Sequence, residues 1–154
     1  MLPALTTAQI GKCGEILVQY RLLLLGIESA PMSTDAGIDL VVYSPKKEST
    51  YTIQVKANLK AKPGGGAGKA ALDWWVPEKS PAQFVALVDL SSEKVWLFAH
   101  FELLSHAQQK SSGRAHIYMY TDESARPRKT DRLSLQREFD HFLLSNRVHD
   151  TFGI

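Results

Sequence analysis

The stretch GIDLVVYSPKKESTYTIQVKAN, Gly37 to Asn58, decides how this chain is read. Two β-branched runs, Ile38 to Tyr43 and Tyr51 to Ala57, flank SPKKEST, the pattern of an antiparallel hairpin. Side chains alternate along a strand, so Ile38, Leu40 and Val42 form one row and Ile53, Val55 and Ala57 another. If both apolar rows share a core face, Asp39, Gln54 and Lys56 share the opposite one. A polar group taken out of water costs free energy unless something pairs with it. A solvated salt-bridge network would explain these three residues, and so would a catalytic site.

The flanking segments bear on that choice. Thr6 or Thr7 can cap a helix from about Ala8 to Leu25, with Gly26 as its stop. Apolar residues almost encircle this helix, which predicts cover on more than one side. Glu15 shares a stripe with Gly11, Val18 and Leu22, so a carboxylate projects from a partly apolar surface. A loop containing Pro31 and Ser33 is expected before the hairpin. After it, AKPGGGAGKA reads as the most flexible part of the chain, but Pro63 and Ala70 stand where a phosphate-binding P-loop needs a glycine and a Ser or Thr.

DWWVP begins or flanks a strand, and Phe84 to Leu90 with Val95 to His100 reads as a second hairpin through SSEK. Trp74, Trp75 and Trp96 are expected to pack in the core or against a sheet. A short helix near Phe101 to Lys110, a strand around His116 to Thr121 and a last helix from about Asp131 to Leu144 complete the reading. Helix, strands, then helices again imply a mixed α/β sheet flanked by helices.

The 154 residues predict one domain, 1–154, long enough to bury a real core without a staple. Cys13 is alone and is expected as a small buried apolar side chain in the first helix. The five histidines have no zinc-like spacing, and no Ser, His and Asp arrangement declares itself. The most apolar stretch, EILVQYRLLLLG, is too short and too interrupted for a membrane span, and no basic leader precedes it. No membrane association and cytoplasmic residence are therefore the expectations. A formal charge of +2 does not by itself argue for nucleic acid. Its distribution bears more directly: Lys46 and Lys47 in the hairpin turn, Lys60, Lys62 and Lys69 around the glycine-rich loop, and Arg126, Arg128, Lys129 and Arg132 near the C-terminus.

Glu15 on an early helix, Asp39 on a first strand and Gln54-Val55-Lys56 on the next resemble the PD-(D/E)xK nuclease superfamily, over about the first sixty residues. Archaeal-type Holliday junction resolvases have a similar order of these parts, and glutamine at the position of Gln54 is known in some homing endonucleases. Ile38 stands where the family's name has proline, and Gln54 where it has a second acidic residue. The resemblance implies a restriction-endonuclease-like fold with an αβββαβ-type core. It also implies a Mg²⁺-dependent (or Mn²⁺-dependent) endonuclease acting on DNA, including branched or structured DNA, with Glu15, Asp39, Gln54 and Lys56 as catalytic residues. Asp39, the Gln54 amide, the Val55 carbonyl and Glu15 would hold the metal, with less negative charge than the usual site. Lys46, Lys47, Lys60, Lys62, Lys69, Arg126, Arg128 and Lys129 would contact phosphates. Cutting both strands of a duplex would need two sites, and hence a homodimer. A catalytically weak nucleic-acid-binding or assembly module on the same fold is the alternative that Gln54 favours.

Overall fold

A computed structural model of the protein describes residues 1–64, 68–125 and 132–154. Helix α1 spans Thr7–Leu24 and starts at a reciprocal cap, in which Thr6 Oγ1 accepts from Gln9 N–H and Gln9 Oε1 accepts from Thr6 N–H. Among the described residues, nine strands follow the helix. β1 (Glu28–Pro31), β2 (Leu40–Ser44), β3 (Ser49–Asn58), β6 (Phe84–Asp89) and β7 (Lys94–Ala99) form one sheet in that order. β4 (Lys62–Gly64), β5 (Lys69–Pro77), β8 (Gln109–Ser111) and β9 (Arg114–Tyr120) form a second, in the order β4-β5-β9-β8. β3 and β6 pair in parallel, and every other neighbouring pair is antiparallel. α2 (His100–His106), a 3₁₀ helix (Gln136–Phe142) and α3 (Leu144–Phe152) complete the described elements.

The five-stranded sheet lies between two cores. One face packs Leu40, Val42, Ile53 and Val55 with Ala86, Val88 and Leu97 under Val18 and Leu22 of α1 and Val148 and Phe152 of α3. The other packs Val85, Leu87, Trp96 and Phe98 against Leu72, Trp74, Ile117 and Met119 of the second sheet. β6 is thus buried on both faces, which is why FVALVD is almost continuously apolar. Trp74 and Trp96 meet edge to face between the sheets, with ring centroids 6.0 Å apart. Trp75 is on the opposite face of β5 and is only partly buried.

The mixed α/β architecture and the antiparallel hairpin expected from the sequence are present, and the structure sets the hairpin register with Leu40 opposite Ile53. Four local expectations differ. Cys13, expected to be buried, is exposed because it lies on the side of α1 away from Gly14, Val18 and Leu22. β1 occupies part of the segment expected as a loop; it is a short edge strand ending at Pro31, with no apolar alternation to reveal it. α1 buries Gly14, Val18 and Leu22, whereas Ile16, Tyr20 and Leu23 are 55%, 55% and 61% exposed, so the described chain covers one side of the helix. The last helix divides because Leu143 is extended (ψ 137°) and bridges Trp96, seating Phe139 and Phe142 in the second core and restarting the helix at Leu144.

Gly14 sets how closely α1 approaches β3: a Cβ there would lie 2.6 Å from the Ala57 Cβ. Gly14→Ala is expected to destabilise the fold by about 1–3 kcal/mol in chemical denaturation, as overpacking does. Gly11, one turn earlier, has nothing within 4 Å of a built Cβ, and Gly11→Ala is expected to be neutral or stabilising by up to about 1 kcal/mol.

Candidate active site

β3 runs on past the start of β2, and one side chain bridges the gap. The Asp39 N–H donates to the Ile53 carbonyl at 2.9 Å, and the Asp39 Oδ2 accepts the Val55 N–H at 2.7 Å. Asp39 therefore lies one residue before β2 and still belongs to its hydrogen-bonding edge. Main-chain groups alternate between the two edges of a strand, so the Val55 carbonyl is on the same edge as that of Ile53 and faces the place where β2 has ended. Gly37 prepares this geometry. Its φ of +87° is a conformation other residues rarely adopt, and a Cβ there would come within 3.0 Å of Pro81.

A cleft of about 960 Å³ opens beside Asp39. Its walls are the first half of α1 with Lys12 and Glu15, the segment before β2 with Asp35, Ile38 and Asp39, and the end of β3 with Lys56, Asn58, Lys60 and Lys62. The structure thus brings Glu15, Asp39 and Lys56 to one opening, as their order along the chain leads one to expect. Burial pushes the Asp39 carboxyl above its ordinary pKa of 3.8, against the Val55 hydrogen bond and Lys56, which lower it. Glu15 and Asp35 push in the same direction as burial. Glu15 is paired with Lys12, Oε2 to Nζ, at 3.0 Å. Lys12 and Asp35 were not singled out by sequence reading. The spacing of Lys12 three residues before Glu15 on a helix is the signal that could have found it.

Gln54 is 6% exposed, and its Oε1 is buried without a hydrogen-bond partner among the described residues. A buried oxygen in that condition is costly unless something else occupies its lone pairs. Gln54 pairs in register with Val85, on the face of the second core, and is not part of the cleft wall.

The basic residues separate into groups. Lys60 and Lys62 line the cleft. Lys46 and Lys47 are at the other end of the five-residue β2, roughly 17 Å away along the strand. There Lys47 Nζ donates to the Asp150 carbonyl at 2.7 Å, an acceptor in the last turn of α3. Lys69 is held by Ser124 at 3.1 Å and Asp122 at 3.8 Å, away from the cleft wall. Arg126, Arg128 and Lys129 lie outside the described residues.

The donors at the cleft suit a hard divalent cation: a desolvated carboxylate with neighbouring acids and an edge carbonyl are both oxygen ligands, whereas the unpartnered Gln54 amide oxygen faces the second core. Among the described residues there is no ready cluster of three His, Cys, Asp or Glu. No described helix is long and apolar enough to cross a membrane.

No protein-family model matches this chain, and no curated protein matches it. Among solved structures it is similar to a bacterial homing endonuclease, I-Ssp6803I, with a TM-score of 0.55 and 16% sequence identity over 80% of this chain and 85% of that one. At that identity the likeness establishes the fold: a mixed α/β nuclease-like architecture, shared over most of both chains.

Proposed function

We propose that the protein is a PD-(D/E)xK-type, metal-dependent DNA endonuclease with glutamine in the second acidic position. The observation that carries this reading is the Asp39 carboxylate, fixed by the Val55 N–H and sharing one cleft with Glu15 and Lys56. The similarity in fold to a bacterial homing endonuclease supports it. Asp39, the Val55 carbonyl and Glu15 are the candidate ligands of Mg²⁺ or Mn²⁺, and the Gln54 amide oxygen would join them only if its side chain turned from the second core toward the cleft. A cation held there would lower the pKa of water and offset charge on the phosphoryl oxygens.

The chain's own groups account for the rest. Lys56 brings an ammonium to the cleft beside Asp39, where it can orient a water or stabilise charge on the phosphate in the transition state. Glu15 is paired with Lys12, and were Glu15 to hold the metal, the Lys12 ammonium would be available to a phosphate at the same mouth. Lys60 and Lys62 offer further phosphate contacts that fix register without reading sequence.

Cutting both strands calls for a second copy. The exposed Ile16, Tyr20 and Leu23 stripe of α1 is the surface we assign to it, since an apolar face of this kind favours burial and a twofold contact is self-complementary. Leu23→Glu is expected to convert a dimer to a monomer in sedimentation velocity. A wild-type chain that is monomeric at all concentrations would remove the dimer from the proposal.

The direct test is incubation with supercoiled, linear and four-way-junction DNA in Mg²⁺, Mn²⁺ or EDTA. Metal-dependent cutting should fall at least about 100-fold in Asp39→Ala and Lys56→Ala, each of which removes a group acting on the transition state. Binding that survives both changes with no cutting by the wild type would favour a catalytically weak binding module, the reading to which the neutral Gln54 lends itself. Lys60→Ala and Lys62→Ala should each weaken DNA binding across sequences and reduce the slope of log K against log salt by about 1.

Metal binding has a readout apart from activity. Asp39 has a raised folded pKa, so its contribution to stability is full below the ordinary 3.8 and is lost as pH rises through the folded value. At neutral pH the ionised carboxyl is thus a net burden on the apo fold. Asp39→Asn keeps an oxygen for the Val55 N–H and should raise the apo melting temperature at pH 7. Saturating Mg²⁺ should raise the wild-type melting temperature, by linkage, and leave that of Asp39→Asn unchanged. An equal Mg²⁺ response in both would exclude Asp39 as a ligand. Gln54→Glu is expected to bind the metal as tightly or more tightly in the same assay.

A further inference from the structure

The open face of the second sheet carries a set of side chains that the cleft does not use. His116, Tyr118 and Tyr120 alternate along β9 and project from the face opposite Ala115, Ile117 and Met119, which are buried in the core. Trp75 stacks on His116 with ring centroids 4.3 Å apart and planes 5° from parallel. The ladder continues from His116 to Tyr118 at 5.6 Å and from Tyr118 to Tyr120 at 5.4 Å. Asp73 Oδ2 holds His116 Nε2 at 2.9 Å, and Gln109 Oε1 lies 3.4 Å from its Nδ1, so the imidazole is fixed from both sides. Asp73, Gln109, His116, Tyr118, Tyr120 and Lys62 border a cavity of about 350 Å³. That volume is at the small end of ligand sites. Neither tyrosine hydroxyl hydrogen-bonds another described residue.

Two connections join this cavity to the cleft. Lys62 lines both. Asn58, at the end of the strand that carries Lys56, donates its side-chain amide to the Asp73 carbonyl at 2.7 Å, which ties the cleft wall to the cavity wall. A strand whose phosphate is at Lys62 would therefore have a neighbouring nucleotide beside the tyrosines.

We propose that this cavity binds an unpaired DNA base next to the phosphate held in the cleft, so that the preferred substrate contains a single-stranded, branched or otherwise unstacked position. The proposal deepens the nuclease reading and rests on it for the placement of the strand. Ring faces lining a concave pocket can stack on a base only when it has left the duplex, because the faces of paired bases are covered by their neighbours. The free Asp73 Oδ1, the Gln109 amide and the tyrosine hydroxyls supply hydrogen-bonding partners for the edge of the base. Burial, followed by the neighbouring Tyr120, pushes the Tyr118 phenol above its ordinary range, which keeps it a proton donor at neutral pH.

The test uses the full chain in EDTA, with fluorescence anisotropy on a labelled single strand and on an intact duplex of the same sequence. Tyr118→Ala should weaken single-strand binding about tenfold, the loss of one stacked base, with duplex binding nearly unchanged. Tyr118→Phe keeps the stacking ring and loses only the hydroxyl, so it should weaken single-strand binding several-fold less than Tyr118→Ala. In a second readout that needs no variant, 2-aminopurine placed at the unpaired position should be quenched on binding the wild type. Equal losses on both substrates, or no loss and no quenching, would overturn the pocket. Metal-dependent nicking by a wild type whose single-strand affinity ignores Tyr118 would also overturn it and leave the nuclease reading standing. Tyr118-dependent single-strand binding without any cutting would support the pocket and remove the nuclease.

Discussion

The bond from the Val55 N–H to the Asp39 carboxylate holds the candidate site together. A strand that outruns its neighbour leaves main-chain groups without a ladder partner, and buried N–H groups are seldom left so. Here the side chain of Asp39 takes that role, which fixes one carboxylate oxygen at the sheet edge and leaves the other for a ligand. The same placement takes the carboxyl partly out of water among other acids, and its pKa rises. One local solution to a hydrogen-bonding problem thus produces an acidic group with a reason to bind a cation.

Two surrounding features keep that geometry rigid. β6 is covered on both faces and pairs in parallel with β3, so the strand bearing Gln54 and Lys56 has a fully buried neighbour. α1 is drawn close at Gly14, where the absence of a Cβ lets the helix lie almost on Ala57 and brings Glu15 to the cleft mouth. Sites built on strands and helices are held more precisely than sites on loops. Gln54 fits the same logic: its oxygen is buried without a partner among the described residues, a condition that a bound ion would relieve if the side chain turned toward the cleft.

The second sheet extends the working surface beyond the hairpin. Its inner face is apolar and completes the second core, while its outer face keeps Asp73, His116, Tyr118 and Tyr120 in a row that ends near Lys62. The lysines divide for a related reason. Lys47 is engaged at the C-terminal end of α3, far along β2 from Asp39, whereas Lys60 and Lys62 follow β3 out of the sheet at the cleft.

By itself the sequence determined the hairpin and the rows that put Leu40 and Val42, with Ile53 and Val55, in the core, because alternation along a strand is a local property of the backbone. The start of α1 was equally legible, since Thr6 and Gln9 satisfy the helix's own first N–H groups. Only the tertiary structure decided that α1 is covered on one side, that Leu143 breaks the last helix against Trp96, that Gln54 faces the second core, that Lys12 and Asp35 border the same cleft as Glu15, and that the tyrosine row lines a neighbouring cavity sharing Lys62 with it. Those outcomes depend on which elements meet across long stretches of chain, and such meetings are set by the packing of whole faces, which no short window of sequence contains.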